Sequence, residues 1–145
     1  MKKFIIDADT GSDDAVAILL ALIHPETEVL GITVVSGNVP LAQGITNTIS
    51  TIEIAEQDIK VYAGADKPLV REYIEIHTLE EFTEHVKSLS PVSASAQSVH
   101  GVDGMGDIGI GSKSPKYEET GAVDYLIETI NNNPGEITLV TLGPL

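Results

Sequence analysis

The stretch Phe4-Ile5-Ile6-Asp7-Ala8-Asp9-Thr10-Gly11-Ser12-Asp13-Asp14-Ala15 runs from an apolar strand, through an acidic loop, into an apolar helix. Its four carboxylates fall within eight residues. Such a cluster repels itself unless a cation or polar ligand stands among the charges. Open α/β folds bind their ligands beyond the carboxyl ends of strands, which is where this loop lies. Asp7 and Asp9 lie two apart at a strand end and can point the same way. Asp13 and Asp14 open a helix, where amide dipoles favour the ionised carboxylate. All-oxygen ligation favours Ca²⁺ or Mg²⁺. The plain alternative is a helix-capping cluster without metal, but one cap needs one or two acids rather than four.

Working outward, Lys3–Asp7 reads as a short buried strand and Ser12 as the N-cap of the helix that follows. Ala15–Ile23 continues that helix with almost nothing but apolar residues, so it is expected to be covered on most sides; His24-Pro25 stops it. Val29–Val35 is β-branched and reads as a second buried strand. After the loop Ser36-Gly37-Asn38, Pro40 opens a helix with Leu41, Ile45, Ile49 and Ile52 spaced for one face. Ile59–Ala63 reads as a third strand. Leu79–Leu89 suggests an amphipathic helix, Ser90–Ser98 a mobile Ser/Ala/Pro-rich stretch, and Val99–Gly111 a glycine-rich loop. Gly121–Asn131 reads as a helix stopped by Asn132-Asn133-Pro134-Gly135, and Glu136–Thr141 as a fourth, buried strand. The alternation predicts an α/β fold with a mainly parallel sheet, residues 1–145 forming one domain without repeats. No helix follows the fourth strand before Leu145, so an apolar edge is expected to drive association.

Composition narrows the function classes. The 145 residues, 42% of them hydrophobic, suffice for one real core. The longest apolar run, Ala15–Ile23, is nine residues, too short to span a membrane. Met1-Lys2-Lys3 with Phe4-Ile5-Ile6 begins like a signal peptide, but the acids from Asp7 interrupt it. A net charge of −14 argues against nucleic acid and anionic membranes as partners. The absence of Cys removes disulfide and thiolate chemistry and makes a reducing cytoplasm the simplest setting.

Rival motifs depart from the sequence at named positions. An EF-hand loop counted from Asp7 needs Gly and Glu where Ser12 and Ile18 stand. The haloacid dehalogenase phosphatase pattern resembles Asp7-Ala8-Asp9 but expects Thr or Val where Gly11 stands, which leaves such a phosphatase as the weaker alternative. Gly104-Met105-Gly106-Asp107-Ile108-Gly109 has dinucleotide-binding spacing without the strand before it or the helix after it. His24, His77 and His85 have no supporting context and read as surface residues.

The acidic run resembles the N-terminal signature of the inosine–uridine-preferring nucleoside hydrolase family, Asp-x-Asp-Pro-Gly-x-Asp-Asp-Ala. It matches at Asp7, Asp9, Gly11, Asp13, Asp14 and Ala15 and departs at Thr10, where the family usually has Pro. Further segments resemble the family in order: Val35-Ser36-Gly37-Asn38-Val39, Thr46-Asn47, Val61-Tyr62-Ala63-Gly64 through Pro68-Leu69, His100-Gly101-Val102-Asp103-Gly104-Met105-Gly106, and Leu142-Gly143-Pro144-Leu145.

The resemblance implies a hydrolase of nucleoside salvage that splits an N-ribosyl bond through an oxocarbenium-like ribosyl cation. Ca²⁺ would present the attacking water and lower its pKa. Asp9 would act as general base and touch the metal. Asp14 would be the main Ca²⁺ ligand, with the main-chain carbonyl of Leu142 beside it. Asp13 and Asn38 would hold the ribose, and His100 would lie on a mobile loop near the substrate. Asp7 and Asn47 would support these groups from behind. Family members are longer, and their second half supplies another metal-binding Asp, further ribose ligands and the His that assists the leaving base. The chain therefore reads as an N-terminal half, weakly active or inactive alone, that forms a homo-oligomer or pairs with a C-terminal half. The non-enzymatic alternative is a Ca²⁺- or ribose-binding module, or an interaction module whose exposed sheet pairs with a partner.

Overall fold

The computed structural model describes residues 1–67, 99–112 and 115–144; the expected helix at Leu79–Leu89 and the stretch Ser90–Ser98 lie outside them. The apolar N-terminal run forms β1 (Lys2–Ala8), and the acidic loop leads into α1 (Ser12–Ile23). The β-branched run forms β2 (Thr27–Val34), followed by α2 (Leu41–Ile54) and the short β3 (Val61–Ala63). The chain then supplies α3 (Ala122–Asn132) and β4 (Ile137–Thr141). The four strands form one sheet in the order β3-β2-β1-β4, and every ladder is parallel.

Handedness explains where the helices lie. The steps β1→β2→β3 run in one direction across the sheet, and right-handed crossovers place α1 and α2 together on one face. The return to β4, on the far side of β1, puts α3 on the other face. Alternation along β1 serves both layers: Ile6 and Ala8 join Ile18, Ile45 and Ile49 under α1 and α2, whereas Ile5 packs with Tyr62, Ala122 and Tyr125 under α3. The Tyr62 and Tyr125 rings stack with centroids 3.7 Å apart, pinning α3 to the sheet.

Three expectations need correction. Ser12 is not the N-cap of α1; Gly11 is, and it has no side chain to cap with. Instead Asp14 Oδ2 accepts the Gly11 N–H at 2.9 Å, while the Ser12 hydroxyl is drawn to His100. Second, α1 is not covered on most sides. Ala15 and Ile18 are buried, but Val16, Leu20 and Ile23 are 66%, 61% and 66% exposed. Only one face of the helix meets the sheet and α2, and the apolar composition of the other face does not alter that geometry. Third, β4 is an edge strand rather than a buried one, with Leu139 and Leu142 exposed. An apolar groove of about 400 Å³ runs between α1 and β4, lined by Phe4, Ile6, Leu20 and Val140 among others. None of the four acids of the loop lines it.

Candidate active site at the switch point of the sheet

The strand order places β2 on one side of β1 and β4 on the other, so the sheet is built outward in both directions from β1. A crevice at such a switch point is the usual ligand site of an open parallel sheet. The residues just beyond β1 are Asp9, Thr10 and Gly11, and those just beyond β4 are Leu142 and Gly143. The two turns are tied together. The Leu142 and Gly143 N–H groups both donate to the Asp7 carbonyl, at 2.7 and 3.2 Å. A Cβ on Gly143 would sit 3.2 Å from Ala8 C and Asp9 N and 2.9 Å from Val35, so glycine is what lets this turn lie against the acidic loop.

Asp9 and Asp14 come together as a buried pair, each about 6% exposed. Asn38 bridges them: its backbone N–H donates to Asp9 Oδ2 at 2.6 Å, and its Nδ2 lies 3.5 Å from Asp14 Oδ2. The Gly11 N–H supplies a second donor to the same Asp14 oxygen. In both carboxylates the hydrogen bonds fall on Oδ2, and Oδ1 receives none among the described residues. Burial pushes the Asp14 carboxyl above the usual carboxylate range; the Gly11 bond opposes this, and the charges of Asp9 and Asp13 add to it. The approach of Asp9 needs Gly37, where a Cβ would fall 2.1 Å from Asp9 Oδ2.

Asp13 parts company with that pair. Its side chain is 74% exposed and its Oδ1 lies 3.8 Å from His100 Nδ1. His100 is mostly buried and its Nδ1 is 2.9 Å from Ser12 Oγ, so the glycine-rich loop closes over the start of α1. Asp103 and Asp107 fold that loop on itself. Asp103 Oδ1 accepts from the N–H groups of Met105 and Asp107, and Asp107 Oδ1 accepts from that of Val102. Gly101, Gly104 and Gly106 all have positive φ, so the glycine pattern serves turns rather than a phosphate cradle.

Asp7 makes no hydrogen bond to the buried pair and is paired with β2 instead. The Thr33 hydroxyl of β2 donates to its Oδ1, and burial raises its pKa against that bond, with the Asp9 charge adding to the rise. Its link to the site runs through the backbone carbonyl that holds Leu142 and Gly143. Asn47 is wholly buried, and its Nδ2 donates to the carbonyls of Thr10 and Asp103, at 3.0 and 2.9 Å. Sequence reasoning missed the steric roles of Gly37 and Gly143. Both followed strand ends, but only the folded arrangement reveals what stands opposite a missing Cβ.

As a test of fit for a hard cation, no group of three or more His, Asp or Glu side chains among the described residues could hold a metal. Asp9 and Asp14 are two hard oxygen donors, fixed by backbone N–H groups and a Gly37 cradle that a Cβ would fill. They fit as part of a Ca²⁺ shell, which takes about six to eight oxygens. No helix among the described residues is long and apolar enough to cross a membrane.

The chain is similar to known proteins in sequence and fold. The family model described as inosine-uridine preferring nucleoside hydrolase matches residues 4–145. An uncharacterised protein of Schizosaccharomyces pombe is 41% identical over 99% of this chain and 40% of its own length. The pyrimidine-specific ribonucleoside hydrolase RihB of Escherichia coli is 35% identical over 99% of this chain and 40% of its own. The solved structure of a plant nucleoside hydrolase superposes with a TM-score of 0.76 at 37% identity, covering 99% of this chain and 40% of that one. The chain thus spans well under half the length of the relatives it matches. The matched span includes the whole acidic loop, Asn38, His100 and the Leu142 turn, and the chain belongs to the inosine-uridine preferring nucleoside hydrolase family.

Proposed function

We propose that this chain carries the cation- and ribose-holding wall of a ribonucleoside hydrolase, cleaving purine or pyrimidine nucleosides to ribose and free base. The observation that carries this reading is the buried Asp9–Asp14 pair at the switch point, bridged by Asn38, with Oδ1 of each acid not taken by a donor among the described residues. Family membership and the hydrolase activity in the names of relatives support it.

Asp9 and Asp14, with the Leu142 carbonyl, are the groups proposed to hold Ca²⁺. A Ca²⁺ held there would supply acidification of a water and would offset the two buried charges. Asp9 takes the water proton as the oxygen adds to the anomeric carbon; the C–N bonding pair leaves on the base nitrogen, which takes up a proton from solvent. Asn38 Nδ2 lies beside the Asp14 carboxylate and is free to turn toward a ribose hydroxyl, its bond to Asp14 being long at 3.5 Å. Asp13, exposed at the rim, accepts hydroxyls of an entering ribose, and His100 beside it lines the entrance. A cytoplasmic setting fits the absence of Cys. Association of the chain, with a second copy or with a C-terminal half, fits the exposed apolar residues along α1 and β4.

Assays with inosine and uridine test the reading. Addition of Ca²⁺ should raise turnover, and Asp9→Asn should lower it by about 10²–10⁴-fold, the usual worth of a general base. Turnover indifferent to Asp9→Asn would overturn the assignment. The partial donor set among the described residues favours a second reading, in which this span binds Ca²⁺ or ribose without turnover. Calorimetry with each ligand alongside the assay separates the two.

A further inference from the structure

We propose that Thr10, Asn47 and Thr48 are positioning residues: a buried clamp that fixes the acidic loop to α2 and couples it to the His100 loop. The proposal rests on the reading of Asp9 and Asp14 as the cation-holding pair. All three side chains are completely buried, and no hydrogen bond joins any of them to the Asp9 or Asp14 carboxylates.

Proton counting orders the network. Thr48 Oγ1 donates to the Gly44 carbonyl at 2.8 Å. A hydroxyl has one proton, so Thr10 is the donor across the 2.6 Å contact between the two hydroxyls. The Thr10 carbonyl accepts one Nδ2 hydrogen of Asn47, and the Asp103 carbonyl accepts the other. Both partners are acceptors, so the amide orientation of Asn47 is fixed, and Gln43 Nε2 completes it by donating to Asn47 Oδ1 at 2.9 Å.

One side chain thus grips two loops. Thr10 follows Asp9 directly and is held from both its hydroxyl and its carbonyl. Asp103 lies in the loop that brings His100 to Ser12. Gly104, with φ of +78°, permits the approach: a Cβ there would meet Val39 Cγ1 at 2.6 Å and Asn47 Nδ2 at 3.1 Å. The position of the two acids and the closure of the entrance are therefore set by the same buried amide. Groups one layer behind metal ligands commonly alter metal affinity about 10–100-fold.

The test uses the 145-residue chain with Thr48→Val and Thr48→Ser, read by Ca²⁺ calorimetry and by amide hydrogen exchange at Gly11 and Asn38. Those two N–H groups hold Asp14 and Asp9. Thr48→Val should weaken Ca²⁺ binding about 10–100-fold and speed exchange at both amides while leaving the β1–β2 ladder protected. Thr48→Ser, which keeps the hydroxyl, should restore both readings. Should Thr48→Val not fold, Gln43→Leu, at a half-buried position, should speed the same two amides several-fold. Unchanged exchange at Gly11 and Asn38 in Thr48→Val, or in Gln43→Leu where that variant is used, would overturn the clamp. If the unmutated chain takes up no Ca²⁺, the cation reading fails, and the exchange rates alone decide the clamp.

Discussion

Helices α1 and α2 lie side by side on the same face of the sheet, yet composition and burial run in opposite directions. In α1 all nine residues after Asp14 are apolar and would suit a core, and still Val16, Leu20 and Ile23 face solvent. In α2 the run Asn47, Thr48, Ser50 and Thr51 is polar and almost completely buried. The buried hydroxyls survive because each finds an acceptor one turn back: Thr48 at Gly44, Ser50 at Thr46 and Thr51 at Asn47. Small hydroxyl residues also let α2 pack closely while offering acceptors to the loops above it, Thr48 to the Thr10 hydroxyl and Ser50 to the Ser112 N–H. Burial here follows from where neighbours stand and whether polar groups are satisfied, not from apolarity alone.

The sharpest way to break this comparison is to make α2 more apolar. Asn47→Leu should destabilise the chain by about 2–5 kcal/mol, because it strands the buried Thr10 and Asp103 carbonyls. Urea unfolding measures it, and a neutral or stabilising outcome would show that the network adds nothing to the fold. Within α1 the contrast should appear between neighbours two apart. Ile18→Ala, at a fully buried site, should cost about 2–4 kcal/mol, and Leu20→Ala, on the exposed face, under about 0.5 kcal/mol.

A subtler effect concerns the charge at the base of α1. Burial raises the folded-state pKa of Asp14 above its ordinary value. The folded state then binds the proton more tightly than the unfolded state, so the ionised carboxylate destabilises the cation-free fold at neutral pH. That penalty is relieved as pH falls through the raised pKa toward the usual carboxylate range. Asp14→Asn should therefore raise the melting temperature in chelator at pH 7, and its advantage over the unmutated chain should shrink as the solution is acidified. A lower melting temperature at pH 7 would show that the Gly11 bond outweighs burial. The smallest stability change is expected for Leu20→Glu on the exposed face, within about 0.5 kcal/mol. Its effect should be seen in light scattering, as reduced self-association; unchanged scattering would count against the apolar face as the sticking surface.

Much of this was legible in the sequence because the decisive signals are local. The apolar-to-acidic boundary at Asp7–Asp14 marked a strand, a loop and a helix, and β-branched runs marked the other buried strands. The split between Asp13 and Asp14 was partly legible too. Asp14 lies four residues before Ile18 and shares its inward face, whereas Asp13 is turned about 100° away. What the sequence hides is tertiary. Ser12 is a good cap by type, but His100, far along the chain, claims its hydroxyl. Gly37 and Gly143 look like ordinary loop glycines until Asp9 and the Ala8–Asp9 backbone are found against them. The Thr10–Thr48 bond joins residues 38 apart, and no periodicity announces it. The exposed face of α1 is equally hidden, since an apolar residue does not declare what will cover it.

The central claim is that Asp9 and Asp14, and not Asp13, hold the cation. Calorimetric titration of Ca²⁺ into the 145-residue chain tests it most directly, with the double variant Asp9→Asn/Asp14→Asn beside Asp13→Asn. The account predicts that the binding heat vanishes in the double variant and persists in Asp13→Asn. Equal titrations for the unmutated chain and the double variant, or loss of binding in Asp13→Asn alone, would contradict it.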